Sequence, residues 1–168
     1  DPGAALRVTV GGADCRQPYD MSVFNVSAMS FGALGSAAIR ALNQGAKAGG
    51  FAHDTGEGGL SKHHLESGGD LIWQIGTGYF GCRTPDGRFD PETFRTKAAL
   101  PQVKMIELKI SQGAKPGHGG ILPGAKVTAE IAEARDVPVG QDVSSPTYHS
   151  AFSTPAEMVA FLGRLRDL

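Results

Sequence analysis

Apolar and polar positions alternate over Leu6-Arg7-Val8-Thr9-Val10, and Gly11-Gly12-Ala13-Asp14 follows. A period of two that runs into turn residues predicts a strand entering a turn. Val23 to Met29 is a short apolar run, predicted as a strand that ends at Ser30-Phe31-Gly32. The period then lengthens. Ile39, Leu42 and Ala46 share one face of a helix that Gly49-Gly50 stops. Phe51 to Thr55 is too short and polar to assign to a strand. Asp70 to Ile75, Tyr79 to Cys82 and Val103 to Ile110 are predicted strands, the last being the richest in apolar and β-branched residues. Between them Asp90 caps a helix over Pro91 to Leu100, with proline in its first turn. Thr128 to Arg135 reads as a short helix and Val137 to Val143 as a strand. Thr154-Pro155-Ala156-Glu157 is a capping box, and Met158, Phe161, Leu162, Leu165 and Leu168 then form one apolar stripe.

Strands and helices therefore alternate, and glycine-rich loops follow the strands. This pattern predicts an α/β fold with a parallel sheet and crossover helices. In parallel barrels ligands sit on the loops at the carboxyl ends of the strands, and about four strand–helix units are present, half of the eight that closure requires. No internal repeat or linker divides the chain.

Charge and composition remove several function classes. The 168 residues carry 16 basic and 17 acidic side chains, a net charge of −1, which makes no electrostatic case for nucleic acid or an anionic membrane. No apolar run approaches the ~20 residues of a membrane span, and Asp1-Pro2-Gly3 does not open a signal peptide. Cys15 and Cys82 are the two cysteines, far apart, so two reduced thiols in a cytoplasmic protein are expected. A first residue other than Met, and a stop on Leu168 at the end of a helix-like segment without a polar tail, suggest a processed or partial chain. The 24 glycines, without low-complexity repetition, point to tight turns and close backbone approach to a ligand.

Three stretches offer chemistry. In Ser27-Ala28-Met29-Ser30-Phe31-Gly32-Ala33-Leu34, a strand ending in small residues lets a flat ring approach the main chain, with the Ser27 and Ser30 hydroxyls adding contacts. A tight turn with Ser30 as helix cap explains the same residues, and residue chemistry alone favours it. In Thr55-Gly56-Glu57-Gly58-Gly59 the acid between glycines is either a general base or gate, or a solvated loop carboxylate. In Lys109-Ile110-Ser111-Gln112-Gly113-Ala114-Lys115-Pro116-Gly117, Lys109 ends an apolar strand, where a buried ammonium needs an anionic partner. A flavin that turns anionic on reduction is such a partner. Lys115 and Arg135 suit carboxylate binding, although surface exposure and the helix dipole account for them equally simply. The histidines form no HExxH or CxxC pattern, so no metal site is expected. No Rossmann or Walker loop is present either.

Together these three stretches, in this order, resemble the FMN-binding domain of the glutamate synthase family, from about Val23 to the end of the chain. The closest resemblance is to its stand-alone FMN-binding members. It implies residues 1–22 as a lead-in hairpin and 23–168 as the amino-terminal part of a (β/α)₈ TIM barrel with FMN at its mouth. The reaction implied is reductive amination of 2-oxoglutarate to L-glutamate: ammonia adds to the ketone, and reduced flavin delivers a hydride to the resulting imine. By matched position Ser27, Ala28, Met29, Ser30, Lys109 and Gln112 would contact FMN. Glu57 and Lys109 would be catalytic, with Glu57 near the ammonia path, and Lys115 and Arg135 would hold the oxo acid. One position departs from the pattern. Where the family has a glutamine this chain has Ile121, and loss of that hydrogen bond costs about 1–3 kcal/mol, which puts 2-oxoglutarate itself in question. The family's iron–sulfur ligands and phosphate loops would lie past Leu168, and an electron-donating protein or subunit is a further expected partner. Two alternatives stand beside this reading. One is an inert half-barrel that needs its missing half or associates through open sheet edges. The other is a barrel using Lys109 as a Schiff-base nucleophile.

Overall fold

The structure, a computed structural model, describes residues 6–111, 115 and 117–168. The amino-terminal alternation forms β1 (Arg7–Val10), paired antiparallel with β2 (Tyr19–Ser22) from Arg7↔Ser22 to Val10↔Tyr19. Arg7 ties this hairpin to the rest of the molecule: its Nε donates to Asp20 Oδ2 at 2.7 Å and its Nη1 to Gly50 O at 2.7 Å.

A parallel sheet follows, ordered β3 (His53–Asp54), β4 (Leu71–Ile75) and β5 (Val103–Leu108). Val26 adds a single parallel bridge to His53. The strand expected from Val23 to Met29 shrinks to this bridge, and the hydrogen bonds show why. Val26 N–H donates to Ala52 O and Val26 O accepts from Asp54 N–H, as a parallel ladder requires. The next donor should be Ala28, but Met29 takes its place, donating to Asp54 O at 3.1 Å. One extra residue has entered, and the regular strand ends there.

The crossovers are helical. α1 (Ser36–Gly49) buries Ile39, Asn43 and Ala46 and ends at Gly50, whose φ of 67° is left-handed. Its cap is Gly35, not Ser30; the Ser30 carbonyl instead accepts from Leu34 N–H in a separate turn. α2 (Lys62–Leu65) is a single turn closed by a Ser61–His64 capping box. α3 (Pro91–Ala98) is capped by the Asp90 carboxylate, which accepts from the N–H groups of Glu92 and Thr93. Thr128 caps α4 (Ala129–Arg135), and the Thr154–Glu157 box opens α5 (Pro155–Asp167) as expected. On α5 Phe161 and Leu165 face inward, while Leu162 is 42% exposed.

Two other expected strands are corrected. Tyr79 to Cys82 is a pair of turns, with Tyr79 N–H donating to Gly76 O and Cys82 N–H to Tyr79 O. Its aromatic content reflects burial, not sheet pairing: Tyr79 and Cys82 are wholly buried. Val137 to Val143 contracts to β7 (Val143–Ser144), antiparallel to β6 (Ile121–Leu122), because Pro138 and the left-handed Gly140 occupy a loop before it.

Side chains on β4 alternate between two faces. Leu71, Trp73 and Ile75 enter a core with Tyr79, Phe94, Phe161 and Leu165, in which Trp73 stacks on Phe94 at 5.4 Å. Ile72 and Gln74 point to the opposite face. A second core joins Phe31, Ile39, Phe80, Val127, Ile131 and Val143. The sheet is an open arc and does not close into a barrel among the described residues.

Candidate functional site

Because β3, β4, β5 and the Val26 bridge run parallel, residues 27–30, 55–59, 76–79 and 109–111 emerge at one end of the sheet. Glycines let these segments touch. Gly56 has a φ of 66°, and a Cβ there would lie 2.8 Å from Ser30 N; one at Gly58 would meet Arg135 Nη2 at 2.9 Å and Ser30 Cβ at 3.0 Å. Opposite these contacts, Glu57 packs over Gly76, where an added Cβ would come within 2.8 Å of its own Cβ.

Glu57 and Lys109 come together. Glu57 Oε2 lies 3.5 Å from Lys109 Nζ, with their side chains 19% and 26% exposed, a pair half withdrawn from water. Beside them Thr77 and His118 help to line a cavity of about 10 Å³, room for one water. The sequence singled out both charged residues, and the fold pairs them.

Behind Lys109 stands a group that the sequence reading considered only as a metal ligand. His149, 2% exposed, places Nε2 2.8 Å from Lys109 O and Nδ1 3.0 Å from Tyr79 Oη. A carbonyl only accepts, so Nε2 carries the hydrogen, and Tyr79 donates its hydroxyl proton to the bare Nδ1. Tyr79 Oη in turn accepts from Ala151 N–H at 3.1 Å. Burial pushes the His149 pKa down, which keeps this neutral tautomer. Lys109 N–H donates to Ile75 O at 2.9 Å, so the residue is pinned at both main-chain groups. No sequence pattern joins Tyr79, Lys109 and His149, which are 30 to 70 positions apart.

Arg135, the last residue of α4, is buried against the same loop. Its Nη2 donates to Phe31 O at 3.3 Å, its guanidinium lies 5.1 Å over the Phe80 ring, and its Nε has no partner among the described residues. Burial lowers its pKa, while the charge of Glu57 works the other way. Lys115 is exposed, its carbonyl accepting from His118 N–H. Gln112 lies outside the described residues. Ile121 is 73% exposed on β6.

In the segment expected to meet a flavin, Ser27 and Ala28 are exposed. Met29 has its main chain engaged: its N–H donates to Asp54 O, and its carbonyl accepts from His64 Nε2 at 3.0 Å. His64 Nδ1 sits 2.8 Å from Ser61 Oγ, and burial pushes the His64 pKa down to about 4. His53, its ring tilted against that of His64 at 5.3 Å, is also pushed down to about 4 by burial, with neither ring nitrogen partnered among the described residues. Among the described residues, no three His, Cys, Asp or Glu side chains gather as a metal site. Both cysteines are free thiols, and no described helix is long and apolar enough to cross a membrane.

Fold and site together define an α/β domain whose parallel strands present a carboxylate–ammonium pair at their carboxyl ends. The family follows from residues 12–168, which match the conserved region in glutamate synthase; the chain belongs to the glutamate synthase family. Among its relatives, the glutamate synthase large subunit-like protein YerD of Bacillus subtilis is 45% identical over 161 residues, 95% of this chain and 30% of that protein. An archaeal-type glutamate synthase [NADPH] of Thermotoga maritima is 41% identical over 123 residues, 73% of this chain and 22% of that protein. A glutamate synthase large subunit-like protein of Rhizobium meliloti is 30% identical over 162 residues, 96% of this chain and 34% of that protein. The chain thus spans about a third or less of the length of these relatives.

Proposed function

We propose that this chain is the amino-terminal part of an FMN-dependent (β/α)₈ barrel that reductively aminates a 2-oxo dicarboxylic acid. The observation that supports this reading most directly is the Glu57–Lys109 pair at the carboxyl ends of the parallel strands, held at 3.5 Å. The residues present fit a flavin in part. Ser27 and Ala28 are exposed beside the Thr55–Gly59 loop, and Lys109 offers a positive charge at its edge. Met29 does not offer its main chain, which is spent on Asp54 and His64. FMN, when bound, supplies the hydride chemistry that no side chain here possesses.

The protein's own groups would do the rest. Lys109 would favour negative charge next to it, and Glu57 would hold that ammonium in place and accept a proton from an incoming ammonium ion. Arg135, with Nε unpartnered among the described residues, and Lys115 would take the two carboxylates of the oxo acid. Ile121 cannot donate or accept there, which favours an oxo acid that makes fewer polar contacts than 2-oxoglutarate makes in the family. Electrons would come from a nicotinamide nucleotide or a donor subunit.

The test uses the intact protein, purified and reduced without oxygen. Ammonium plus a 2-oxo acid should reoxidise the flavin, and neither alone should do so. A protein that purifies colourless and takes up no FMN on titration overturns the reading. A mass shift on Lys109 after borohydride trapping with a keto acid would instead favour Schiff-base chemistry.

A further inference from the structure

Lys109 stands where the sheet stops holding the chain. β5 ends at Leu108, and Lys109 N–H makes a last bond to β4, donating to Ile75 O at 2.9 Å. β4 has by then turned away, with Gly76 O accepting from Tyr79 N–H, and no strand donor remains for the Lys109 carbonyl among the described residues. His149 supplies one, with Nε2 2.8 Å from Lys109 O. A bond at the amide and a bond at the carbonyl together fix φ and ψ, and with them the direction of the Cα–Cβ bond. The Lys109–Glu57 pair, at 3.5 Å and with both side chains partly open to water, is too weak to set that direction by itself.

His149 is in turn left with one orientation. The residue is 2% exposed, and its ring stacks on Phe152 at 4.7 Å with 22° between the planes. Tyr79 donates to Nδ1 and accepts from Ala151 N–H, so the hydrogen bonds run one way, from Ala151 through Tyr79 and His149 to the Lys109 carbonyl. Tyr79 is wholly buried and has a φ of 49°, a left-handed backbone that a bulky residue keeps only where its surroundings enforce it. The segment leading to His149 is tied down as well: Ser145 N–H donates to Gly120 O at 2.8 Å, and Thr77 Oγ1 to Pro146 O at 2.6 Å. Packing would require only a flat ring at position 149. It does not account for a ring with both nitrogens engaged, or for the backbone of Tyr79.

We propose that His149 is a positioning residue for Lys109: held as the Nε2–H tautomer by Tyr79, it fixes the Lys109 main chain and so aims the ammonium at Glu57. It acts through Lys109 and not on the oxo acid. The consequence for catalysis rests on the reductive amination reading; the clamp itself does not.

Two measurements on the intact protein, neither needing turnover, test the clamp. In nitrogen NMR of histidine-labelled protein at neutral pH, the His149 ring, assigned by its loss in His149→Gln, should carry its proton on Nε2 alone. Tyr79→Phe, which keeps the ring and loses the hydroxyl, should replace that signature with a mixture containing the Nδ1–H form. Acetic anhydride labelling, read by mass spectrometry, then follows Lys109 with Lys104 as internal reference. His149→Phe should speed labelling of Lys109 by about two- to fivefold, the range expected when a half-exposed ion pair is released, and leave Lys104 unchanged. His149→Gln, which can still donate to Lys109 O, should return the rate towards that of the parent. An Nδ1–H tautomer in the parent, an unmoved Lys109 in His149→Phe, or a His149→Gln that labels like His149→Phe each overturn the proposal. If Lys104 accelerates too, the variant has lost its fold, and the parent tautomer together with Lys109 labelling in Tyr79→Phe decides. A clamp found in a protein that binds no flavin keeps this inference and removes only the proposed reaction; turnover with Lys109 labelling unmoved does the reverse.

Discussion

Lys109 and Glu57 depend on neighbours that hold them from behind, and single substitutions separate the roles. Lys109→Met removes the positive charge at the proposed flavin edge, and flavin reoxidation by ammonium and oxo acid should fall by about two orders of magnitude or more. Stopped-flow absorbance at the flavin band measures it, and an unchanged rate contradicts the assignment. His149→Phe keeps an aromatic ring in place but removes the hydrogen bonds to Tyr79 Oη and Lys109 O together. Two stranded polar groups cost about 2–5 kcal/mol of stability, while His149→Gln, which can still donate to Lys109 O, should recover part of the reoxidation rate. If the two variants react alike, His149 supports packing only. Gly56→Ala forces a side chain into a φ of 66° and to within 2.8 Å of Ser30 N. Urea unfolding followed by circular dichroism should show a loss of about 1–3 kcal/mol. At this scale the sequence revealed residues whose chemistry is costly where it stands, such as an acid among glycines or a lysine ending an apolar strand. It concealed Asp54, Tyr79 and His149, whose meaning lies in partners brought close only by folding.

Helices were the most legible elements, because their ends are written locally. Asp90 and the Thr154–Glu157 box cap the helices they were expected to cap, and Thr128, expected as the first helical residue of α4, is its cap instead. Strand limits were less legible: one extra residue at Ala28–Met29 ends a ladder, and apolar turns at 79–82 imitate a strand, neither being visible without the pairing partner. The layer of α2 against β3 also fixes how stability responds to pH. His53 and His64 have folded pKa values near 4, below the ordinary 6.5, so their contribution is complete above about 6.5 and is lost as pH falls towards 4. Asp54 acts oppositely. Its folded value of about 7 exceeds the ordinary 3.8, so its contribution is full below 3.8 and is lost as pH rises through 7. The two trends offset between pH 4 and 6.5. Asp54→Asn removes one of them, so its stability should climb more steeply with pH across that window than that of the parent. Equal slopes in urea titrations at several pH values would contradict this.

For the molecule as a whole, the alternation of strand and helix was sufficient to give a parallel α/β arc, and the three motifs were sufficient to give the family. Closure was not legible, and the described residues do not show it: β5 has a ladder partner on the β4 side only. An unpaired parallel edge favours association. Residues 1–168 expressed alone should therefore elute as oligomers in size-exclusion chromatography with light scattering, and should bind FMN more weakly than the intact protein. A stable, stoichiometrically yellow monomer would show that the arc needs nothing more.

The chain has one tryptophan, Trp73, fully enclosed and stacked on Phe94, with an indole N–H that finds no acceptor among the described residues. Its emission should be blue-shifted and should report on the contact of β4 with α3, on the side of the sheet away from Asp54 and Gln74. The protein thus contains its own optical gauge: a mutation at the strand ends that leaves this signal in place has altered chemistry, and one that reddens it has loosened the scaffold.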